Sequence, residues 1–350
     1  MLLQKMARFF SSDIGIDLGT ANCLVYMKDK GIVLSEPSVV ARVEGTKEIV
    51  AVGLKAKEML GRTPRNIKAV RPMKYGVIAD YDITEAMLRH FIHAAKKMLP
   101  PRKRLIRPRV LIAVPSGITS VERRAVQDTA DRAGAGDIFL IDEPVASAVG
   151  VGLPVSDPTG SMIVDIGGGT TEVAVLSLSG IVTKHSLRIG GDEMDAAICQ
   201  AVKRNHNLGI GPRMAEDLKV EIGSAYPQDN EDQIFMIASG REQISNTPKK
   251  VKVTAREIRE ALDGPVRNIV EAVNSTFEHC PEEIAGDLLD RGIMLAGGGS
   301  MLRGLDRRIS EATGLPVFLA DDPLNAVANG TGIILQDVDR MAKAMALAVE

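Results

Sequence analysis

The chain has 350 residues, 45 % hydrophobic and 25 % charged, a globular balance and a length beyond one typical core. Its formal net charge of −2 gives no basis for nucleic acid as a partner. No apolar run approaches the ~20 residues of a membrane-spanning helix, and three scattered cysteines (Cys23, Cys199, Cys280) fit a reducing cytoplasm rather than a metal or disulfide framework.

The first ten residues, MLLQKMARFF, place Leu2, Leu3, Met6, Phe9 and Phe10 on one side of a helix and Gln4, Lys5 and Arg8 on the other. With no small-residue cleavage site, this is not the pattern of a signal peptide. One reading is a basic amphipathic helix lying on an anionic membrane, and the other is a frayed or internally packed terminus. Five large apolar side chains on so short an end favour the first, and many copies acting together would be needed to hold it there.

From 13 to about 34 the pattern runs strand, acidic turn (Asp17-Leu18-Gly19-Thr20), strand, Lys28-Asp29-Lys30-Gly31 turn, strand. From 161 to 188 the same order recurs around Asp165-Ile166-Gly167-Gly168-Gly169-Thr170, a weak internal repeat that suggests a duplicated fold. Residues 35–73, with Pro37, Pro64 and Pro72, read as a small insertion. A helix is expected over 82–99, opened by Asp82 or Thr84, with Ile83, Met87, Phe91 and Ala94/Ala95 on one face. Val110–Val114 is a buried strand, and Thr119-Ser120-Val121-Glu122 has capping-box spacing before a helix that Gly134 ends. A strand at Ile138–Ile141 leads through Asp142-Glu143-Pro144 into a small-residue helix. In the second half, Gly190-Gly191 enters a helix near 193–206, and a polar insertion follows to about 253. A helix spans about 254–279, with Gly264-Pro265 as a candidate interruption. The strand Gly292–Ala296 enters Gly297-Gly298-Gly299, Leu302–Thr313 reads as a helix and Val317–Ala320 as a strand. Strands alternating with helices give an α/β fold.

Three glycine turns and one acidic loop carry the chemistry. A glycine bend between strands can aim several N–H groups at phosphate oxygens. Asp17 and Asp165 supply hard oxygens for Mg2+ through retained waters. Thr20 and Asn22 offer a hydroxyl and an amide toward phosphate, and the Gly167, Gly168 and Gly169 amides face the terminal one. Glu143 is the candidate to orient an attacking water, with Thr170 on its other side; phosphoryl transfer needs little more than such positioning. Gly297, Gly298, Gly299 and Ser300, opening a helix, let a nucleotide approach closely. Taken singly, each has a plainer reading: an ordinary hairpin turn, a flexible glycine run, an acid at a helix N-terminus. The ordered set argues against coincidence, and no Walker loop occurs. His90 and His93 share a helix face without a third ligand and read as packing and surface residues. Residues 94–109 carry seven basic residues and no acid. By default this is a solvated loop, though Met98 and Leu99 within it could meet a membrane alongside the N-terminus.

The turns DLGTAN (17–22), DIGGGTTE (165–172) and AGGGSML (296–302) resemble the phosphate-1, phosphate-2 and adenosine motifs of the actin, sugar kinase and DnaK-type chaperone superfamily. Within it, IDEPVASAVG (141–150), AEDLKVEIGSA (215–225) and the total length resemble the MreB family of bacterial rod-shape-determining actins. The resemblance implies an actin-like, duplicated ribonuclease H-like fold with two large subdomains, each bearing a small insertion, around an ATP cleft. It assigns 1–12 to a membrane-binding segment. Residues 13–33 and 74–158, with 321–350 returning, form the first large subdomain, and 34–73 its insertion. Residues 159–191 and 251–320 form the second, and 192–250 its insertion. It makes Glu143 and Thr170 the hydrolytic pair, Asp17 and Asp165 the magnesium acids, and Glu216 and Lys219, within Glu216-Asp217-Leu218-Lys219, the nucleoside-side contacts, with Ala21 inside the first phosphate turn. Cys23 stands where related sequences often carry a hydroxyl residue. The resemblance further implies ATP-dependent homopolymers of paired antiparallel strands, with Val121 in the lateral contact. These would lie in the cytoplasm on the inner face of the membrane, together with transmembrane cell-elongation proteins, and would help position peptidoglycan synthesis.

The leading expectation is therefore a filament-forming ATPase. A small-molecule kinase on the same fold would need an acceptor pocket that the sequence does not reveal. A purely structural ATP-binding filament is a further alternative. A chaperone is disfavoured because the chain ends near 350 with no room for a substrate-binding domain.

Overall fold

The structure is a computed structural model that describes residues 13–104 and 106–336. The candidate membrane residues Leu2, Leu3, Met6, Phe9 and Phe10, and residues 337–350 of the returning C-terminal segment, lie outside the described residues. The chain divides into two compact units. Among the described residues, one comprises the chain through Thr159, Leu176–Val182 and the chain from Leu324; the other comprises Gly160–Val175 and Thr183–Pro323.

In the first unit, β1 (Asp13–Leu18), β2 (Asn22–Met27) and β3 (Gly31–Pro37) form an antiparallel meander. A small three-stranded sheet follows, from β4 (Val40–Val43), β5 (Ile49–Val52) and β6 (Ile67–Val70), with α1 (Leu54–Met59) beside it. Its core is Val39, Ala41 and Ala56, separate from the main core of the unit. The hairpin β7 (Met73–Lys74) and β8 (Val77–Ile78) returns the chain to α2 (Tyr81–Lys97) and the short α3 (Pro101–Arg104). Then come β9 (Arg109–Val114), α4 (Ser120–Ala133), β10 (Ile138–Asp142) and α5 (Glu143–Gly150).

The main sheet has the order β10-β9-β1-β2-β3, with β1, β9 and β10 parallel. Strand alternation sends Ile14, Ile16 and Leu18 into a core with Met87, Leu88 and Phe91 of α2 and Val126 and Ala130 of α4. Gly15 faces the opposite side, where a Cβ would stand 2.3 Å from Thr331 Oγ1, and Asp17 shares that face. The capping box holds as the sequence indicates: Thr119 accepts from the Glu122 amide, Glu122 answers at the Thr119 amide, and Gly134 closes α4 at φ 101°.

The second unit repeats this plan. Strands β11 (Ser161–Ile166), β12 (Thr171–Ser177) and β13 (Gly180–Leu187) precede α6 (Gly191–His206). A three-stranded sheet of β14 (Leu208–Gly209), β15 (Phe235–Glu242) and β16 (Pro248–Thr254) accompanies α7 (Pro212–Ile222). There follow α8 (Ala255–Glu278), α9 (Glu282–Arg291), β17 (Ile293–Ala296), α10 (Leu305–Thr313) and β18 (Val317–Leu319). The main sheet here runs β18-β17-β11-β12-β13, the order of the first sheet strand for strand. The chain ends its described course in α11 (Ala326–Gln336), which packs on α5 and β1 of the first unit.

Three element boundaries differ from the sequence reading. Helix α2 begins at Tyr81 because Asp80, not Asp82 or Thr84, caps it by accepting from the Ile83 amide. Helix α8 runs through Gly264-Pro265 without a break; Leu262, Val266 and Ile269, buried on one face, hold the turn that loses an N–H donor. Residues 302–304 stay outside α10 because Gly304 sits at φ 72°, a left-handed conformation that starts the helix at Leu305.

Candidate functional site

In each unit the candidate residues collect at the C-terminal edge of the parallel strands, where open α/β sheets bind ligands. Asp17, the penultimate residue of β1, registers with Ala113 of β9, and Ala113 with Ile141 of β10. Glu143 follows directly as the first residue of α5, two strands and so roughly 10 Å across the sheet from β1. Asp142 caps that position on the chain and is ion-paired with Arg123 of α4, which fixes the strand end from which Glu143 leaves.

The turn from β1 to β2 is tied down from outside. Ser38 Oγ donates to Gly19 O at 2.7 Å and the Ser38 amide to Ala21 O at 2.9 Å. A Cβ on Gly19 would stand 2.6 Å from Asn22 O, so the bend is closed by backbone alone. The buried Thr20 hydroxyl oxygen accepts from the Gly76 amide at 2.9 Å, which leaves its proton and one lone pair to offer a ligand. Asn22 is exposed at the turn.

In the second unit, Asp165 stands at the matching place on β11 and registers with Ala296 at the end of β17. Met162, Val164 and Ile166 enter the core, so Asp165 belongs to the other face. It is 7 % exposed. Gly297 follows Ala296 at φ 78°; a Cβ there would stand 2.5 Å from Asp165 Oδ1 and 2.4 Å from Ile166 O. Only glycine lets the two turns approach like this.

The glycine turn 167–169 is gripped by α6: the Gly191 amide donates to Gly167 O at 3.0 Å and the Asp192 amide to Gly168 O at 2.7 Å. The Gly167 amide is used internally, donating to Thr170 O at 2.8 Å. Among the described residues neither the Gly168 nor the Gly169 amide donates to a backbone carbonyl, so these two are the ones positioned to serve phosphate.

Four expectations change. Gly298–Met301 forms a short 3-10 turn rather than the start of an α-helix, so the dipole of a long helix is absent there. Within that turn the Ser300 amide and hydroxyl both donate to Gly297 O, which commits its donors to the turn and leaves its hydroxyl lone pairs. Leu218, grouped with the nucleoside contacts, is fully buried in the second core because α7 turns Ala215, Leu218 and Ile222 inward. Leu99, grouped with Met98 at the membrane, is only 7 % exposed and packs in the first core, whereas Met98 is 43 % exposed.

Glu216, Asp217 and Lys219 are half-buried on α7. Thr170 is buried beside the glycine turn, and Val121, 74 % exposed, stands on the first turn of α4. The basic stretch 94–109 is partly structural: Arg104 donates to Leu99 O and Lys97 O, Arg107 pairs with Asp131, and Arg109 with Asp13. Sequence reasoning missed Ser38, Gly76 and Asp195. Only Asp195 left a signal, an acid one turn inside a helix on the side that becomes buried.

Asp195 is the perturbed acid of this region. Burial lifts its carboxyl to about 6, and the Lys219 ammonium 2.7 Å away only partly offsets that.

Two matching sheets of the same strand order, each ending in an acidic glycine turn, define an actin-like protein. The comparisons agree: a crystal structure of MreB5 of Spiroplasma citri bound to ADP superposes with a TM-score of 0.88 at 35 % identity, covering 95 % of this chain and 98 % of that one. The AMPPNP-bound structure of the same protein gives the same values. The MreB/Mbl protein family profile matches residues 11–343. The cell shape-determining protein MreB of Escherichia coli (strain K12) is 52 % identical over 345 residues, 97 % of each chain. The chain belongs to the MreB/Mbl family.

Proposed function

We propose that this chain is an ATP-binding, filament-forming ATPase that works at the inner face of the cell membrane and sets cell shape by organising peptidoglycan synthesis. The observation that carries the reading is the repeated edge: an acid at the end of the first strand of each sheet, followed by a turn whose backbone is held open by glycine. Nucleotide-bound structures of MreB5, 35 % identical, support it.

In this reading the first unit contributes Asp17, the 19–22 turn and Glu143. The second contributes Asp165, the Gly168 and Gly169 amides, the Gly297 turn, and Glu216 and Lys219 on the nucleoside side. Among the described residues no group of three or more His, Cys, Asp or Glu side chains converges as a metal cage. Mg2+ needs no such cage, since it keeps waters and phosphate oxygens in its shell and takes one or two carboxylates, for which Asp17 and Asp165 are the candidates. Bound magnesium would neutralise phosphate charge. Glu143, held at a helix start by the Asp142–Arg123 pair, orients the water, and Thr170 holds it from the other side.

The subdomain limits inferred from the motifs belong to the same proposal, as do the other partners. Subunits would stack head-to-tail without closing. Val121 would lie in an antiparallel lateral contact, and residues 1–12 with Met98 would meet anionic lipid beside transmembrane cell-elongation proteins.

Glu143→Ala is the test: phosphate release with ATP and no acceptor is expected to fall by about 10²-fold or more while ATP affinity stays within about threefold. Unchanged release removes Glu143 from the chemistry and favours a filament that only binds ATP. Release that requires an added acceptor points to a kinase. Deleting residues 1–10 should abolish co-sedimentation with anionic liposomes; unchanged binding refutes the membrane role of the terminus.

A further inference from the structure

We propose that Asp195 is a positioning residue of the nucleotide site: by holding the Lys219 ammonium, it clamps the nucleoside-side helix α7 to the glycine turn 167–169. The inference rests on the ATP reading above and adds to it a link between the two ends of the ligand.

The link can be followed atom by atom within the second unit. Lys219 Nζ stands 2.7 Å from Asp195 Oδ1 and donates to Gly191 O at 3.0 Å. Gly191 in turn donates its own amide to Gly167 O, and its neighbour Asp192 donates to Gly168 O. Asp195 lies four residues beyond Gly191 on α6, so carbonyl and carboxylate present themselves to one ammonium from one face of the helix. Both charged side chains are largely buried, at 13 % and 16 % exposure for Asp195 and Lys219. An ammonium so placed keeps its position only while its counter-charge is present.

There is little slack in the arrangement. A Cβ on Gly191 would stand 3.2 Å from Lys219 Nζ, and one on Gly190 would stand 2.6 Å from Gly167 O and 2.8 Å from Gly168 O. Two adjacent glycines thus allow the helix start to press on the turn, and Lys219 pulls α7 onto that same start. A ligand that settles against α7 therefore stiffens the turn that serves phosphate.

The test uses the full chain with MgATP and adenosine as probes. Loss of one charged contact corresponds to about tenfold in affinity. Asp195→Asn is expected to weaken MgATP by about that factor or more, leave adenosine within about threefold, and be rescued by Asp195→Glu. In the unmodified chain, adenosine alone is expected to slow hydrogen exchange at the Gly191 and Asp192 amides severalfold, a readout that needs no variant to fold. Equal losses for both probes, or unaltered exchange at those amides, overturn the clamp. An unmodified chain that binds neither probe overturns the ATP reading itself, a result distinct from the other two.

Discussion

The crossing of α5 and α11 makes a sharp test of how Glu143 is placed. The two helices meet backbone to backbone at Gly150 and Gly330. A Cβ on Gly330 would stand 1.7 Å from Ala146 O and 2.6 Å from its carbonyl carbon, and one on Gly150 would stand 1.8 Å from Ala326 O. Carbon–oxygen contacts relax near 3.3 Å, so Gly330→Ala must drive the helices apart by roughly 1.5 Å. Overpacking of this kind costs about 1–3 kcal/mol, and the upper end applies because the obstacle is a carbonyl that cannot rotate away. Alanine regains about 1 kcal/mol of helix propensity over glycine, so the clash wins by about 2 kcal/mol.

With a urea slope of about 2 kcal/mol/M, the unfolding midpoint should fall by about 1 M. Phosphate release should fall as well, since α5 begins at Glu143. Gly286→Ala in α9 is the control: away from its chain neighbours no heavy atom lies within 4 Å of its Cβ position, and no proline follows it, so it should gain up to about 1 kcal/mol. A Gly330→Ala chain as stable as its parent, or a Gly286→Ala chain destabilised to the same degree, refutes the reasoning.

Two further outcomes follow from the site. Because burial raises Asp195 to about 6, the folded chain binds a proton there that the unfolded chain, at its ordinary value of 3.8, has released. Stability from this group is therefore greatest below about pH 4 and is lost as pH rises to 6, by about 3 kcal/mol in all. Denaturation of Asp195→Asn against its parent at pH 4 and 7 should show the variant gaining relative stability by up to that amount; a constant difference rules the shift out. Gly297→Ala, strained at φ 78° and blocked by Ile166 O, should destabilise by about 2 kcal/mol or more and weaken MgATP binding, read by thermal shift with and without nucleotide. A variant with the parent's nucleotide-induced shift removes the turn from the site.

The acidic hairpins were legible because each lies between apolar runs of strand length, and because the same order occurs twice. The capping box at Thr119 was legible because its donors and acceptors are four consecutive residues. Boundaries failed where two local signals competed: Asp80 and Asp82 are both acids ahead of one apolar face, and only packing selects the cap. Pro265 misled because long-range burial of Val266 and Ile269 outweighs a local breaker. Leu218 shares a motif with polar site residues and Leu99 stands beside the exposed Met98, and neither pattern says which way each member points. The Ser38 hydroxyl and the Gly76 amide act through bonds spanning 19 and 56 residues, which no local pattern records.

Helix α11 follows the second unit in the sequence, yet it covers the face of β1 that carries Gly15 and Asp17. As the protein emerges from the ribosome, that face stays bare until residues 326–336 appear, long after the second unit has all its strands. The unit begun first is completed after the second, and α5 with its Glu143 gains its seat only once residues 326–336 have been made.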